Sequence, residues 1–554
     1  MLGKACGEIA WERLEMTLRI DRRSLILAGT LGLGALAIPG FSFAQAMATG
    51  FTHSVASGEP GPDTMLLWSR YVPADRGPVK VKAEISKTRD FAKIVSGGEQ
   101  ITGAWRDHTL KITVEGLEPG TRYFYRFVAP DGSFSPVGET KTLPQGNIAK
   151  YGIAIFSCSN MPYGYFNAYG HAATRADIDL WVHLGDYLYE YAKGGYAPAG
   201  GAVDGRWPEP ATEMIHLADY RMRYASYRSD PDLQELHRAK PMLVQMDDHE
   251  SANNSREMSA QNNQPGEADW NDRKAAALQA FKEWMPVSET PWGSYDIGGL
   301  ATLFRTESRL LYRSDEPELG PLFKSADAQK ALIAFRDGAL QDPARTMLGT
   351  EQETWLGHAL KKSVRSGQKW QVVGFGTIMG KQRMPENAMD WIKADAGAGT
   401  RAYVQAGVMA SKLGLPSDLD NWGGFPAARA RFLKSAQAAG ANLLVICGDS
   451  HNAWAFDLGQ DGKPAGVEFA GHSVSSPGYE NGTSTDPKVI AAGLVATNPE
   501  LKWCDTSRRG YMALTLTPEK ASNDWVMMDT ITQRTTKASV GHTAVVTRGR
   551  NVMA

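Results

Sequence analysis

Four short apolar runs in this chain end in side chains that bind metal ions. "YGIAIFS" runs into Cys158-Ser159-Asn160, and "LWVHLG" into Asp186, with Tyr189 three residues on and Glu190 beside it. "MLVQM" runs into Asp247-Asp248-His249-Glu250, and "NLLVICG" into Asp449-Ser450-His451. Aspartate after a strand is by itself a common turn starter. In an open α/β sheet, however, the carboxyl ends of the strands line the ligand crevice. Thiol, phenol, imidazole and carboxylate at four such ends therefore point to a metal centre. Cys, Tyr, Asp and His together suit a transition ion, and phenolate suits ferric iron, whereas Asp248 and Asp449 offer hard oxygens suited to calcium or magnesium. Asp186 is placed to bridge the two. Two ions roughly 3.5–4 Å apart hold both the attacking and the leaving oxygen of an in-line displacement at phosphorus. Within "GDYLYE", Tyr189 is expected on the metal with Asp186, and Tyr187 is expected to point away as a packing or rim residue.

These ends need a scaffold. "YGIAIFS", "LWVHL", "MLVQM", "WQVVGF" and "NLLVI" read as buried sheet strands, separated by helical stretches. "TEQETWLGHALKKSVRSG" predicts a helix opened by a capping box of Thr350 with Glu353 and closed at Gly367, and "AARARFLKSAQAAG" one closed at Gly440. Past Gly510, "GYMALTLTP" and "DWVMMDTI" return to strand. Such alternation predicts an α/β sheet covered on its faces. Ahead of it, Phe51 to Leu143 reads as strands, with Tyr123, Tyr125 and Phe127 on one face after a Pro-Gly turn. This predicts an all-β immunoglobulin- or fibronectin-like sandwich with a tyrosine corner. "LPQGNIAK" (Leu143 to Lys150) is the linker, and the glycine-rich stretch Ala192 to Gly205 is expected to be a mobile loop. His183 reads as a satisfied core histidine, and His472 is open between core and site. Trp370, Trp422 and Trp503 are expected to pack.

At 554 residues the chain is too long for one core, so two or more domains are expected. Lys+Arg 59 against Asp+Glu 61 gives a net charge of -2, and no basic run carries interleaved aromatics, so there is no nucleic-acid-binding signature. The N-terminal stretch carries a twin arginine (Arg22, Arg23), a short apolar segment broken by Pro39, and a small-residue cleavage site, Ala44-Gln45-Ala46. It reads as a twin-arginine signal peptide, 1–46, with Met16 a possible true start. The expected localisation is periplasmic or secreted, by the twin-arginine export machinery, with no membrane span in the mature protein. Cys6 leaves with the signal. Cys158, Cys447 and Cys504 remain, so at least one stays unpaired.

In this order, "FSCSN", "HLGDYLYE", "DDHE..NN" and "CGDSHN", behind a β-sandwich, resemble the alkaline phosphatase D family of calcineurin-like metallophosphoesterases. "VEFAGHSVSSPG" and "RGYMALTLTPE" also match stretches typical of that family. The resemblance covers nearly the whole mature chain. It implies an N-terminal β-sandwich domain over 47–145 and a metallophosphoesterase domain over 150–554, with two β-sheets sandwiched between helices. It implies an exported phosphomonoesterase or phosphodiesterase acting on small-molecule phosphate esters by metal-activated hydroxide. Ferric iron (Fe3+) would be held by Cys158, Asp186, Tyr189 and His451. Asp186 would be shared with one or two calcium ions (Ca2+), which Asp248 and Asp449 also reach and which Asn253 or Asn254 completes. Asp186 and His249 are the expected catalytic residues, His249 by stabilising or protonating the leaving oxygen. "DNWGGF" (Asp420 to Phe425) and "GFGTIMG" depart from the family's pattern at positions expected to border the substrate pocket.

Four competing readings have less behind them. Gly374, Gly376 and Gly380 miss the dinucleotide-binding spacing, and no G-x-S-x-G elbow is present. A phospholipase D-type phosphodiesterase is the alternative within the same family. A non-catalytic exported phosphate- or polymer-binding protein would have lost site residues, and none is missing.

Overall fold

A computed structural model describes residues 48–554 except Ala199 and Glu318. The expected signal peptide, with Arg22, Arg23 and the 44–46 cleavage site, lies outside the described residues. Seven strands come first: β1 (Gly50–Gly58), β2 (Met65–Val72), β3 (Val79–Ser86), β4 (Ile94–Thr102), β5 (Thr109–Val114), β6 (Arg122–Val128) and β7 (Gly138–Lys141). The remaining strands are β8 (Tyr151–Phe156), β9 (Leu180–His183), β10 (Met242–Val244), β11 (Gly293–Ile297), β12 (Ala301–Arg305), β13 (Trp370–Phe375), β14 (Leu443–Cys447), β15 (Ala453–Gln460), β16 (Lys463–Ala470), β17 (Leu501–Asp505), β18 (Gly510–Leu516), β19 (Lys520–Met528) and β20 (Ala538–Thr547).

They form a 9-stranded sheet in the order β20-β19-β18-β8-β9-β10-β1-β2-β5, a 7-stranded sheet in the order β11-β12-β13-β14-β16-β15-β17, and a 4-stranded sheet, β4-β3-β6-β7. The two large sheets pack face to face. Ile153 and Ile155 of β8 meet Leu444 and Ile446 of β14 in a shared core. The alternate residues point outward, as a period of two requires. Ala154 and Phe156 lie under the helices Leu217–Tyr227, Pro231–Ala239 and Trp270–Trp284. Leu443, Val445 and Cys447 lie under Gly349–Arg365, Pro426–Ala439 and Pro487–Thr497. The layers are helix, sheet, sheet, helix. β8, β9 and β10 run parallel, and so do β13 and β14, so their carboxyl ends lie on one edge.

In the N-terminal region, β1, β2 and β5 face the 4-stranded sheet across a core of Val55, Leu67, Ile85, Ile112, Tyr125 and Phe127. The Tyr123 hydroxyl accepts from the Glu118 amide at 2.8 Å, five residues upstream, as a tyrosine corner does. One sheet of this sandwich is continuous with the large sheet: β1 pairs parallel with β10 at Gly58 and Met242. The sequence gives no sign of that continuity, because one bridging pair leaves no periodic trace. The helix predicted from Thr350 is also capped one turn earlier. Thr346 Oγ1 accepts from the amides of Leu348 and Gly349 and donates to Glu353, so the expected Thr350 box is replaced by Thr346.

Candidate metal centre

Every expected ligand sits on the loop after its strand, and four take a backbone conformation that side chains disfavour. Cys158, Asp186, Asp449 and His451 have φ of 62°, 55°, 64° and 61°. Left-handed non-glycine residues cost on the order of 1–3 kcal/mol each and concentrate where a site demands the geometry. The turn also needs Gly185, whose φ is 107° and where a Cβ would lie 2.3 Å from Asp247 Cβ. The two sheets close on each other here: the Cys158 amide donates to the Gly185 carbonyl, and the Ser475 and Ser476 amides donate to the Cys158 carbonyl.

Three overlapping groups result, each with its ligand atoms within 4.8 Å of one another: Cys158, Asp186 and His451; Asp186, Asp248 and His249; Asp247, Asp248 and Asp449. Tyr189 completes the first. Its hydroxyl donates to Asp186 Oδ2 at 3.0 Å, lies 3.1 Å from His451 Nε2, and accepts from Ser476 Oγ at 2.7 Å. His451 Nδ1 faces the Pro477 carbonyl at 2.9 Å, which assigns the ring proton to Nδ1 and leaves Nε2 bare. Burial lowers the pKa of His451 to about 3, so the ring stays neutral. Burial and then the Asp186 charge push the Cys158 thiol and the Tyr189 phenol well up.

The acidic groups are arranged differently. Asp247 Oδ1 accepts from Arg309 Nε at 2.6 Å, and Asp248 Oδ2 accepts from the Asn254 amide at 2.7 Å. Arg309 is fully buried, and its Nη1 donates to Asp420 at 2.6 Å. Burial raises Asp247 to about 6 against the pull of Arg309, and burial with the Asp247 charge raises Asp449 strongly. Asp248 goes down: burial would raise it, but His249 and Arg309 outweigh that. Asp186 Oδ1, Asp247 Oδ2 and Asp248 Oδ1 are all buried without a hydrogen-bond partner. Three orphaned carboxylate oxygens beside a thiol, a phenol and a bare imidazole nitrogen are a donor set that fits metal cations.

His249 Nδ1 donates to Glu190 Oε2 at 2.7 Å, which turns Nε2 toward the carboxylates. Burial lowers its pKa, but the charges of Asp248, Asp186 and Glu190 prevail and hold the ring well above its ordinary value. Glu190 Oε1 in turn accepts from the Asn253 amide and Asn262 Nδ2. Glu250 accepts from the Asp247 and Tyr187 amides and so clamps two of the strand ends together.

Tyr187 points away, with its hydroxyl 2.8 Å from His237 Nε2 in the core beneath the helices. His183 is a core residue 2.9 Å from the Tyr169 hydroxyl. His472 is settled as structural, its Nε2 3.1 Å from the Val526 carbonyl. Cys158, Cys447 and Cys504 are all unpaired. Gly376 leaves room for Asp247, and Asp420 pairs with Arg309 and Arg313, so both departures from the family pattern serve the acidic groups from below. Arg309, Ser476 and the role of Glu190 were not expected. Arg309 lies four residues past the end of β12, a strand not singled out from the sequence, and Ser476 in "SVSSPG" is one serine among several.

A family profile described as PhoD-like phosphatase matches residues 153–525, and that of the PhoD-like phosphatase N-terminal domain matches 37–144. The chain belongs to the PhoD-like phosphatase family. It is 33% identical over 509 residues to alkaline phosphatase D of Bacillus subtilis (strain 168), covering 87% of this chain and 78% of that one. A solved structure of PhoD superposes with a TM-score of 0.74 at 29% identity, over 93% of each chain. A purple acid phosphatase from yellow lupin (Lupinus luteus) seeds shares the fold, with a TM-score of 0.52 at 12% identity over 90% of this chain and 75% of that one. This PhoD-like phosphatase is a phosphoric ester hydrolase, and its described residues contain clusters able to hold metal ions. No helix among them is long and apolar enough to cross a membrane.

Proposed function

We propose that the chain is an exported phosphomonoesterase and phosphodiesterase acting on small-molecule phosphate esters at a mixed iron–calcium site. The observation that carries it is the chain of three ligand groups linked through Asp186 and Asp248. Cys158, Asp186, Tyr189 and His451 would hold ferric iron, since phenolate and thiolate are ligands for a highly charged, softer ion. Asp186, Asp248 and Asp449 would hold calcium, with Asp247 a further carboxylate in reach. When bound, the ions supply the positive charge that activates water and neutralises phosphoryl oxygens.

The chain's own residues do the rest. Asp186 shares its carboxylate between the two halves. His249 holds a proton at Nε2 for the leaving oxygen, as a general acid must. Once cations neutralise Asp186 and Asp248, Glu190 remains the anion in contact with Nδ1 and keeps the ring oriented and charged. We further assign 1–46 to a twin-arginine signal, 47–145 to a β-sandwich domain and 150–554 to the catalytic domain, for a periplasmic or secreted protein. Phosphate release from p-nitrophenyl phosphate and its bis-ester by metal-loaded protein tests the activity. Absence of release from both contradicts it. Retention of an uncleaved precursor when Arg22 and Arg23 are both changed to Lys tests the export route, and unchanged export contradicts it.

A further inference from the structure

A cavity of about 600 Å3 opens beside the metal centre. Its walls are Met384, Trp391, Ile392, Tyr403, Val404 and Tyr479, and no residue lining it carries a charge. Two segments build most of it, the stretch from Met384 through the first two turns of the helix Ala398–Lys412, and the loop 477–483. They are tied by an antiparallel bridge of Ile392 with Thr483 and by the bonds Lys393 N to Gly482 O and Ser484 N to Trp391 O. The cavity is therefore preformed. The basic side chains of this segment bond to backbone carbonyls: Lys393 Nζ donates to that of Asn481, and Arg401 donates to those of Lys393 and Ala394.

Three lining residues also touch the metal centre. The Pro477 carbonyl faces His451 Nδ1 at 2.9 Å, the Tyr196 ring stacks on Tyr189 at 5.9 Å, and the Asn253 amide donates to Glu190. These three contacts join the cavity wall to the residues around the ligand groups. A substituent bearing further charge would enter walls that hold no charged group to answer it, and an unanswered buried charge costs affinity. An aromatic or branched alkyl group instead gains about 25 cal/mol per Å² of apolar surface removed from water.

We propose that this cavity is a subsite for the uncharged, apolar or aromatic alcohol portion of a phosphate ester. The inference rests on the phosphatase reading above and names its substrate class. Tyr403 and Thr400 suit a test because both are exposed on the helix surface, and Thr400 lies one contact from Gly482 across the cavity. An aspartate at position 400 would sit in the first helical turn, where it favours the helix, so the fold is not at risk.

The metal-loaded full chain is assayed with p-nitrophenyl phosphate and glycerol phosphate, as wild type, Tyr403→Ala and Thr400→Asp. The ratio of kcat/KM for the aryl over the glycerol ester should be at least tenfold in wild type and fall about tenfold in each variant. In parallel, calorimetry should show phenylphosphonate binding about tenfold more tightly than methylphosphonate, with that difference lost in Tyr403→Ala. A wild-type ratio near one, or a ratio unchanged in both variants, overturns the subsite. Failure to hydrolyse either ester, with phenylphosphonate still preferred, would support the subsite and refute the catalytic reading.

Discussion

The two halves of the metal centre share Asp186 yet are held in opposite ways. Around Tyr189 the donors satisfy one another: phenol to carboxylate, serine to phenol, imidazole to a backbone carbonyl. Thiol and phenol are both pushed toward their protonated forms there, so a cation entering this half must expel protons. Around Asp248 the groups are carboxylates that one guanidinium, Arg309, cannot neutralise, and three of their oxygens have no hydrogen-bond partner. A cation entering that half relieves repulsion. The difference is the one that the proposed pair, a tightly kept transition ion and an exchangeable hard ion, requires.

The comparison breaks most completely at the shared residue. Asp186→Asn removes the carboxylate common to both halves and should lower kcat/KM on p-nitrophenyl phosphate by about ten-thousandfold, with both metals depleted. Loss of only one metal would place the bridge elsewhere. His249→Ala should lower kcat by about a thousandfold with metal content kept, since the role proposed for His249 is on the leaving oxygen. Glu190→Gln, which only orients that ring, should cost about ten- to a hundredfold. If His249→Ala empties the site, it is a ligand.

The acidic half can be probed without substrate. Arg309→Met leaves Asp247 buried without its cation and Asp420 with Arg313 alone, and should destabilise the metal-free protein by roughly 3–5 kcal/mol, measured by denaturant unfolding. Calcium should restore part of that loss, and equal losses with and without calcium would separate Arg309 from the ion site.

The pH dependence has a definite sign. Asp247 is raised to about 6 and Asp449 is raised as well, so metal-free protein has its full contribution from them below about pH 4 and loses it as pH rises. Calcium loading should flatten this slope. A slope unchanged by calcium would mean that these carboxylates do not meet the ion.

Much of the arrangement was legible in the sequence, because a strand that ends in a ligand-type side chain announces the element and places that side chain at its carboxyl end. The alternation of Ile153 and Ile155 against Ala154 and Phe156 is the same signal for the layers. What could not be read depends on distance along the chain. Arg309 meets Asp247 across 62 residues and Asp420 across 111, and neither spacing leaves a pattern. The sharing of a sheet between β1 and β10 hangs on one pair, Gly58 with Met242. The left-handed φ of Cys158, Asp186, Asp449 and His451 is likewise invisible, since only glycine advertises that conformation.

The central claim, two ions of different chemistry, is tested most directly by elemental analysis and visible absorption of the purified protein before and after a calcium chelator. The account predicts coloured protein, from thiolate and phenolate bound to ferric iron, that keeps its iron and its band while losing calcium and activity. Calcium should restore activity, and Tyr189→Phe, unlike Tyr187→Phe, should shift or bleach the band. A colourless, iron-free protein with full activity, or one revived by zinc or magnesium and never by calcium, would contradict it.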